Sequence, residues 1–283
     1  MKNLKIAIQK SGRLNEKSVQ LLKNCGLQFD NYKSSLITTV SNFSLEILFL
    51  RDDDIPGYVE SGIADLGIVG ENVIDESQAK VHYVQRLGFG KCTLKLAIAK
   101  DSSMQQLSDL KGKSIATSYP NILNGFLKEN NIEAEIHEIS GSVEIAPGLG
   151  LSDAICDIVS TGGTLKNNGL KPFADVRTSE AILISRPELE SDPILCELLQ
   201  RIQSVLRAQE TKYVVLNVEK SNLPSIVNLL QGVKSPTIVP LAEEGWVAVH
   251  TVITEDDFWH KINQLKAAGA QGIVVMPVEK IIM

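Results

Sequence analysis

The sequence predicts an α/β protein with a smaller α+β unit at its C-terminal end. Apolar strand segments alternate with helical segments through the first two thirds of the chain, a pattern typical of a sheet rich in parallel strands. One buried strand runs directly into a glycine-rich turn and a helix. The last stretch of roughly 70 residues has the order β-α-β-β-α-β, which is the ferredoxin-like order.

The elements of the first part are predicted from hydrophobic periodicity. Strands are predicted at 4–8, 45–50, 65–70, 93–99, 114–117, 134–138 and 154–159, with extended chain over 173–184. Helices are predicted at 14–25, from residue 55 onwards, at 121–129, at 143–149 despite Pro147, and at 194–208. The last helix is clearly amphipathic.

The final part is predicted as strands at 212–218, 236–241, 245–253 and 272–276, with helices at 223–230 and 255–268. We place the domain boundary near 209–211. Because no linker rich in Pro, Gly or Ser marks it, we expect the helix at 194–208 to run almost into the small domain.

Size and composition exclude several classes of protein. The chain has 283 residues, which corresponds to two domains at about 150 residues each. Apolar residues make up 43% and charged residues 22%, so disorder and collagen are excluded. Lys and Arg number 28 against 34 Asp and Glu, giving a net charge of -6. That balance disfavours a general nucleic-acid binder but allows local basic pockets.

The cysteines and histidines are dispersed. They form no Cys-x-x-Cys and no His-Glu-x-x-His pattern, so no structural zinc site is expected. Dispersed cysteines fit a reducing compartment, and we expect the cytoplasm. The first 14 residues lack the apolar segment of a signal peptide. No apolar run approaches the roughly 18 residues of a membrane helix, so no membrane association is expected.

The segment 153–165 offers the most chemical information. A buried strand runs into Ser160-Thr161-Gly162-Gly163-Thr164 and then a helix. Backbone N–H groups, threonine hydroxyls and the helix dipole would favour a phosphate there, and Asp157 just before the loop could bind ribose hydroxyls. Neither a P-loop nor a G-x-G-x-x-G dinucleotide pattern occurs. The alternative is an ordinary turn whose threonine caps the helix.

The pattern around this segment resembles a known family. Glu144, Gly150, Ser152, Ile155, Asp157 and the Thr-Gly-Gly-Thr-Leu run ending at Leu165 resemble the signature of ATP phosphoribosyltransferase, which opens histidine biosynthesis. Further similar motifs are Gln9-Lys10-Ser11-Gly12-Arg13-Leu14, Arg51-Asp52-Asp53-Asp54-Ile55-Pro56, Asp65-Leu66-Gly67-Ile68-Val69-Gly70-Glu71-Asn72, Ala116-Thr117-Ser118-Tyr119-Pro120 and Ser235-Pro236-Thr237-Ile238. The resemblance covers essentially the whole chain, including the tail of the long form.

The resemblance implies a two-lobed core with the fold of type II periplasmic binding proteins. Lobe I would be 1–94 and 179–208, lobe II would be 95–178, and a ferredoxin-like regulatory domain would be 209–283. The active site would lie in the cleft between the lobes, which agrees with the preference of ligands for the carboxyl ends of parallel strands.

The implied reaction joins adenine N1 of ATP to C1 of phosphoribosyl pyrophosphate and releases pyrophosphate and N1-(5-phospho-β-ribosyl)-ATP. The ring nitrogen is neutral, so it needs positioning more than deprotonation. The departing pyrophosphate needs electrostatic support, and Mg²⁺ is the expected counter-charge. We therefore expect no nucleophilic triad.

The resemblance also implies residue roles. Asp157 would bind ribose hydroxyls, and Glu144 would contact ribose; either acid could contact Mg²⁺. Lys10 and Arg13 would face pyrophosphate or ATP phosphates. The 5′-phosphate would be held by Ser160, Thr161, Gly162, Gly163 and Thr164. Without the resemblance, Glu144, Lys10 and Arg13 would be read as surface charges.

The implied ATP contacts are Arg13, Arg51, Asp52, Asp65 and Tyr119, with Asp53 as an alternative to Asp52. The segment 51–54 would otherwise be a solvated turn with Asp54 as a helix cap. Asp65 enters an apolar strand, where a carboxylate needs partners. Tyr119 could either pack near the adenine or belong to the core.

The tail resembles a regulatory domain that binds histidine at subunit interfaces. The implied histidine contacts are Asn217, Ser235, Thr237 and Gly272, although each could be a strand-end or turn residue. A carboxylate would suit the effector amino group better than Asn217. The resemblance further implies inhibition by AMP and homo-oligomers from dimer to hexamer. The rival functions are a non-catalytic bilobal nucleotide or solute sensor and a short-form subunit that needs a separate regulatory partner.

Overall fold

The computed structural model describes residues 3–30, 35–159, 163–230 and 235–282. The chain divides into two compact units, Met1–Cys196 and Glu197–Met283. The predicted boundary at 209–211 and the predicted lobe limits stay predictions. Among the described residues, no helix is both long enough and apolar enough to cross a membrane.

The described residues form a mixed α/β structure, which confirms the predicted fold class. The strands are β1 (Leu4–Gln9), β2 (Ile37–Thr39), β3 (Leu45–Leu50), β4 (Leu66–Gly70), β5 (His82–Arg86), β6 (Cys92–Ala99), β7 (Ser114–Thr117), β8 (Glu135–Glu138), β9 (Ala154–Val159), β10 (Leu170–Ser179), β11 (Ala181–Ser185), β12 (Thr211–Glu219), β13 (Thr237–Pro240), β14 (Trp246–Thr254) and β15 (Gln271–Pro277). The helices are α1 (Arg13–Asn24), α2 (Ile55–Glu60), α3 (Glu71–Ser77), α4 (Pro120–Glu129), α5 (Gly163–Asn167), α6 (Pro193–Gln209), α7 (Leu223–Leu229) and α8 (Glu255–Ala267).

The first unit contains a six-stranded sheet with the order β2-β3-β1-β4-β11-β5. Its centre is parallel, because β1 pairs in parallel with both β3 and β4. These strands are mostly apolar, and Ile6, Ile47 and Ile68 are fully buried, as expected for a sheet covered on both faces. The carboxyl ends of β1, β3 and β4 therefore lie at one edge of this sheet.

The same unit contains a five-stranded sheet with the order β10-β6-β9-β7-β8. Here β7 is parallel to β8 and β9, whereas β6 and β10 are antiparallel to their neighbours. The sequence predicted mostly parallel pairing, and the antiparallel strands are the difference. The carboxyl ends of β7 and β9 lead to Tyr119 and to the segment 160–162.

The chain passes from the first sheet to the second after β5 and returns between β10 and β11. Only Glu180 separates these two strands, so the predicted extended segment 173–184 is two strands in two different sheets. The Arg86 guanidinium lies at this crossing and binds Glu71 at 2.7 Å and Glu180 at 2.9 Å. The crossing is thus tied by ion pairs as well as by the backbone.

The second unit contains a four-stranded antiparallel sheet with the order β13-β14-β12-β15. This is the ferredoxin-like arrangement that the β-α-β-β-α-β order predicted. Val214, Leu216 and Val218 alternate along β12 and are buried in a core that Ile226 of α7 and Phe258 of α8 share. Tyr213, Val215 and Asn217 point to the other face.

Two local predictions differ from the structure. The predicted helix at 143–149 is two short 3₁₀ turns, Val143–Ile145 and Pro147–Leu149, because Pro147 has no N–H and its ring obstructs a continuous helix. Helix α3 was not predicted. It starts directly after β4 and has only seven residues, too few to show helical periodicity.

Candidate active site

The carboxyl ends of the two sheets of the first unit border one cavity of about 490 Å³. Asp52 and Asp53 reach it from the end of β3, and Ser118 and Tyr119 reach it from the end of β7. Glu76 of α3 also lines it. A cavity of this size at the carboxyl ends of parallel strands is suited to a nucleotide-sized ligand.

Three predicted cations lie at the ends of β1 and β3. The backbone N–H of Lys10 donates to the Leu50 carbonyl at 2.7 Å, which brings Lys10 beside Arg51. Arg13 is the first residue of α1. All three side chains are exposed, and in the described parts of the chain none of them forms an ion pair. They are available to an anionic ligand.

Asp157 and Glu144 lie close enough to repel each other. Asp157 lies on β9, and its Oδ1 accepts a hydrogen bond from the Ile158 N–H at 2.7 Å. Burial raises the pKa of the Asp157 carboxyl, and the charge of Glu144 raises it further. Two carboxylates held in this way favour a cation or a hydroxyl-rich ligand between them.

Tyr119 lies where acids from both sheets meet. Burial raises the pKa of its phenol, and the charges of Asp157, Asp52 and Asp53 act in the same direction. The phenol therefore keeps its proton as a hydrogen-bond donor. Tyr119 also packs on the core of the second sheet and lines the cavity, and its place near the adenine stays a prediction.

The predicted phosphate loop falls partly outside the described residues. Ser160, Thr161 and Gly162 are not described, whereas Gly163 and Thr164 begin α5 and are exposed. Because α5 has only five residues, its dipole adds less than the sequence argument assumed. Strand β9 carries this segment to the same edge of the sheet as Tyr119.

A smaller cavity of about 370 Å³ lies beside Val159, at the end of β9. Lys91, Thr93 and Thr178 line it together with Arg86. These residues could not be predicted from the sequence, because β6 pairs with β9, and β10 with β6, only in the folded sheet. No local motif in the sequence signals them.

Asp65 is the predicted ATP contact that the structure places elsewhere. It precedes β4, whereas the cavity lies beyond the other end of that strand, roughly 15 Å away at about 3.3 Å per residue. Its carboxylate accepts from the Lys5 N–H at 2.9 Å and pairs with Arg186 at 3.1 Å. The partners that a buried carboxylate requires are here protein groups that join β1, β4 and the segment after β11, and the ATP contact of Asp65 stays a prediction.

The predicted histidine contacts form two separate pairs. Gly272 has a φ of +56°, and a Cβ built on it would lie 3.2 Å from Asn217 Nδ2, so these two residues are neighbours. Thr237 lies on β13, at the opposite edge of the sheet, and pairs with His250 of β14. Ser235 lies just before β13 in the chain. Because β13 and β15 are about 14 Å apart at the usual strand spacing, the four residues do not form one pocket within a single copy of this domain.

The acids of the first unit fit a metal that is bound mainly through a substrate. Among the described residues, no cluster of three or more His, Cys, Asp or Glu side chains could hold a metal ion. Mg²⁺ usually takes one or two protein carboxylates and completes its shell with water and substrate phosphates. Asp157 and Glu144 could supply such a pair.

Comparisons with known proteins agree along the whole chain. The sequence model of the ATP phosphoribosyltransferase family matches residues 51–206, and that of "HisG, C-terminal domain" matches 208–280. An ATP phosphoribosyltransferase from Cytophaga hutchinsonii is 55% identical over 281 residues, covering 99% of this chain and 98% of the relative. One from Bacteroides fragilis is 51% identical over 282 residues, covering 99% and 100%. A solved chain of the ATP phosphoribosyl transferase (HisG:HisZ) complex from Thermotoga maritima aligns with a TM-score of 0.60 and 29% identity, covering 71% of this chain and 98% of that one.

Proposed function

Because this chain belongs to the ATP phosphoribosyltransferase family, we propose that the cavity bordered by its two larger sheets is the catalytic site. The chain is a pentosyltransferase of histidine biosynthesis that condenses ATP, through adenine N1, with C1 of phosphoribosyl pyrophosphate. Identity of 55% to a curated enzyme over nearly the full length favours this function over a non-catalytic bilobal sensor. The observation that carries the site is the meeting of Asp52, Tyr119 and Asp157 at the edge where the signature loop begins.

The phosphoribosyl group is assigned to the second sheet. Asp157 binds the ribose hydroxyls, and Glu144 stands beside it as a second acceptor. Ser160, Thr161, Gly162, Gly163 and Thr164 hold the 5′-phosphate. The family signature and the position of β9, which leads directly into this loop, support the assignment.

The adenine is assigned to the space around Tyr119 and Asp52. The attacking ring nitrogen is neutral, so the protein must hold it in line with C1 rather than remove a proton. Tyr119 offers a ring face and a protonated phenol, and Asp52 and Asp53 offer acceptors for the adenine amino group or the ribose hydroxyls. Positioning from opposite sides of the cavity is what this reaction needs.

Pyrophosphate departure is assigned to the cations at the ends of β1 and β3. The sugar gains oxocarbenium character as the C1–O bond breaks, and the negative charge collects on pyrophosphate. Lys10, Arg13 and Arg51 are exposed and lie at one edge of the first sheet, where they can stabilise that charge. Arg13 and Arg51 also contact the ATP phosphates.

A metal ion is part of the proposal, and Mg²⁺ is the ion we expect. When bound, it would neutralise the pyrophosphate charge. Asp157 and Glu144 would hold it together with substrate oxygens. Burial and the charge of Glu144 raise the pKa of Asp157, so a bound cation would stabilise its charged form.

The second unit is assigned to regulation by histidine, with AMP as a second inhibitor. Asn217 and Gly272 lie at one edge of its sheet and Thr237 at the other, which supports a histidine pocket completed between copies in a homo-oligomer that ranges from dimer to hexamer. The chain carries its own C-terminal domain, which speaks against dependence on a separate regulatory subunit. The cysteines form no disulfide in the described parts of the chain, which supports a cytoplasmic location.

The direct test mixes the purified protein with ATP, phosphoribosyl pyrophosphate and Mg²⁺ and follows pyrophosphate release and the adenylate by mass spectrometry. We expect N1-phosphoribosyl-ATP and inhibition by added histidine. Absence of both products would refute the catalytic function, and activity that ignores histidine would refute the regulatory one. Activity only after addition of a separate regulatory subunit would favour the short-form alternative.

The loop assignment has its own test. Replacing Thr161 and Thr164 by Ala together removes two hydroxyl donors, each worth about 1 kcal/mol, so the KM for phosphoribosyl pyrophosphate should rise about tenfold or more. The KM for ATP should change little. An unchanged KM for phosphoribosyl pyrophosphate would contradict the assignment of the 5′-phosphate to this loop.

A further inference from the structure

Helix α4 is capped by a residue from the other sheet. Its first residue, Pro120, has no N–H, and its cap residue, Tyr119, makes no side-chain capping bond. The next two N–H groups, on Asn121 and Ile122, donate to the two carboxylate oxygens of Glu76 at 2.9 and 3.0 Å. The Leu123 N–H bonds the Tyr119 carbonyl. Glu76 thus satisfies the amides that the helix itself leaves open.

Glu76 reaches α4 from α3, which starts directly after β4 of the first sheet. The Asn121 side chain returns a third bond, from Nδ2 to the Glu76 carbonyl at 2.9 Å. The preceding residue of α3, Asp75, binds Arg177 of β10 at 2.8 Å. Helix α3 therefore follows a strand of the first sheet in the chain, and its side chains bind α4 and β10, which pack in and around the second sheet.

The capped end of α4 adjoins the catalytic cavity. Tyr119 immediately precedes Pro120, and its own N–H donates to Thr117 Oγ1 at 2.9 Å. Both Tyr119 and Glu76 line the cavity that Asp52 and Asp53 enter from the first sheet. Anything that fixes the start of α4 relative to α3 also fixes Tyr119 relative to those acids.

We propose that Glu76 is a positioning residue for the transfer reaction. Its carboxylate attaches the start of α4 to α3 and so fixes the position of Tyr119 relative to the acids of the first sheet. Glu76 acts through α4 and contacts no reacting atom. A carboxylate at a helix N-terminus is favoured by both hydrogen bonding and the helix dipole. The inference rests on the proposed site, because it assigns Tyr119 to the adenine.

The test compares Glu76→Ala, Glu76→Gln and Asp109→Ala in the full-length protein. Asp109 is a matched control, since its Oδ2 also accepts two backbone N–H groups, from Gln105 and Gln106, but within one short turn. Glu76→Gln keeps one acceptor oxygen. Each variant is assayed for kcat, for the KM of each substrate, and for hydrogen exchange of the Asn121 and Ile122 amides.

We expect Glu76→Ala to lower kcat about tenfold, to leave the KM for phosphoribosyl pyrophosphate nearly unchanged, and to speed exchange of both amides at least about fivefold, by loss of a cap worth about 1 kcal/mol or more. Glu76→Gln should fall between Glu76→Ala and wild type. Asp109→Ala should leave kcat and both amides unchanged.

Three results would overturn the proposal. They are amide exchange in Glu76→Ala equal to wild type, an unchanged kcat in Glu76→Ala, and an equal loss of kcat in Asp109→Ala. If Glu76→Ala does not fold, Glu76→Gln decides by the same two measurements. If wild type itself makes no phosphoribosyl-ATP, the proposed function fails, whereas the attachment of α4 to α3 by Glu76 is still tested by amide exchange.

Discussion

At the scale of single residues, two aspartates with similar sequence surroundings have opposite roles. Asp157 is half-buried at the cavity, and its carboxyl has a raised pKa. Asp65 is buried at the far end of β4, where its carboxylate accepts a hydrogen bond from the Lys5 backbone N–H and pairs with Arg186. The family motifs contain both residues, so a motif match alone does not separate a ligand-binding carboxylate from one that holds the fold together.

Asp157→Asn should separate function from stability. Because burial raises the folded-state pKa of Asp157 above that of the unfolded chain, the ionised carboxylate lowers stability at pH 7, and this cost appears as pH rises above its unfolded pKa. The variant should unfold at the same temperature as wild type or higher. Its kcat/KM for phosphoribosyl pyrophosphate should fall about 10- to 100-fold, by loss of charged hydrogen bonds to the ribose.

The matched control for this prediction is Asp65→Asn. It leaves Arg186 without its carboxylate and should cost about 1–3 kcal/mol in the free energy of unfolding, while the KM for both substrates stays close to wild type. Thermal unfolding and steady-state kinetics on the two variants check both statements. Equal losses of activity in Asp65→Asn and Asp157→Asn would indicate that Asp65 contacts the nucleotide.

His137 should give a pH-dependent contribution to stability. Its Nε2 pairs with Glu135 at 3.0 Å and its Nδ1 bonds the Leu151 carbonyl at 3.1 Å, and these two hydrogen bonds raise its pKa above 6.5. The contribution is therefore fully present below pH 6.5 and is lost as pH rises through the folded-state pKa. The unfolding temperature of wild type should exceed that of His137→Gln at about pH 6 and approach it at about pH 8.5. An equal difference at both pH values would contradict the assignment.

At the scale of elements, the sequence predicts the long apolar strands and misses the short polar pieces. The run Leu45–Leu50 can hardly be anything other than a buried strand, and β3 has those bounds. Helix α3 has a polar sequence and seven residues, so its conformation depends on Arg177 and on the amides of α4, which lie about 45 to 105 residues further along the chain. Such tertiary partners leave no periodic signal.

The second residue of β15 is Gly272, which has a positive φ and lies beside Asn217. Gly272→Ala should destabilise the second unit by about 1 kcal/mol, because its φ of +56° disfavours a Cβ. Both tryptophans, Trp246 and Trp259, lie in that unit, so urea unfolding followed by tryptophan fluorescence reports on it. Gly245→Ala is the strain-matched comparison: its φ of +87° should cause a similar loss of stability, but no atom lies within 4 Å of the added Cβ.

The two glycine variants should differ in regulation. Only the Cβ at position 272 approaches Asn217, so Gly272→Ala should weaken inhibition by histidine, whereas Gly245→Ala should keep it. The concentration of histidine that halves activity measures this difference. The same histidine sensitivity in both variants would remove Gly272 and Asn217 from the proposed effector pocket.

At the scale of the whole molecule, strand order explains which contacts could not be predicted from the sequence. Most strands of both larger sheets and all elements of the ferredoxin-like unit follow from patterns along the chain, whereas β2, β5 and α3 do not. The contacts between distant residues do not follow from such patterns. Thr178 and Lys91 line one cavity with Val159 because β6 lies between β9 and β10. The histidine contacts separate because β13 and β15 occupy opposite edges. Register and strand order are properties of pairing between distant segments.

The single-residue return at Glu180 has a consequence for how the protein is made. Strand β4 has β11 as one of its two neighbours, and β5 has only β11, so the first sheet stays incomplete until residues 181–185 have been synthesised. The second sheet is one continuous segment and can fold first. At roughly 5–20 residues per second, β4 has one unpaired edge for at least about five seconds of synthesis. We expect the nascent chain to depend most on chaperones during this interval.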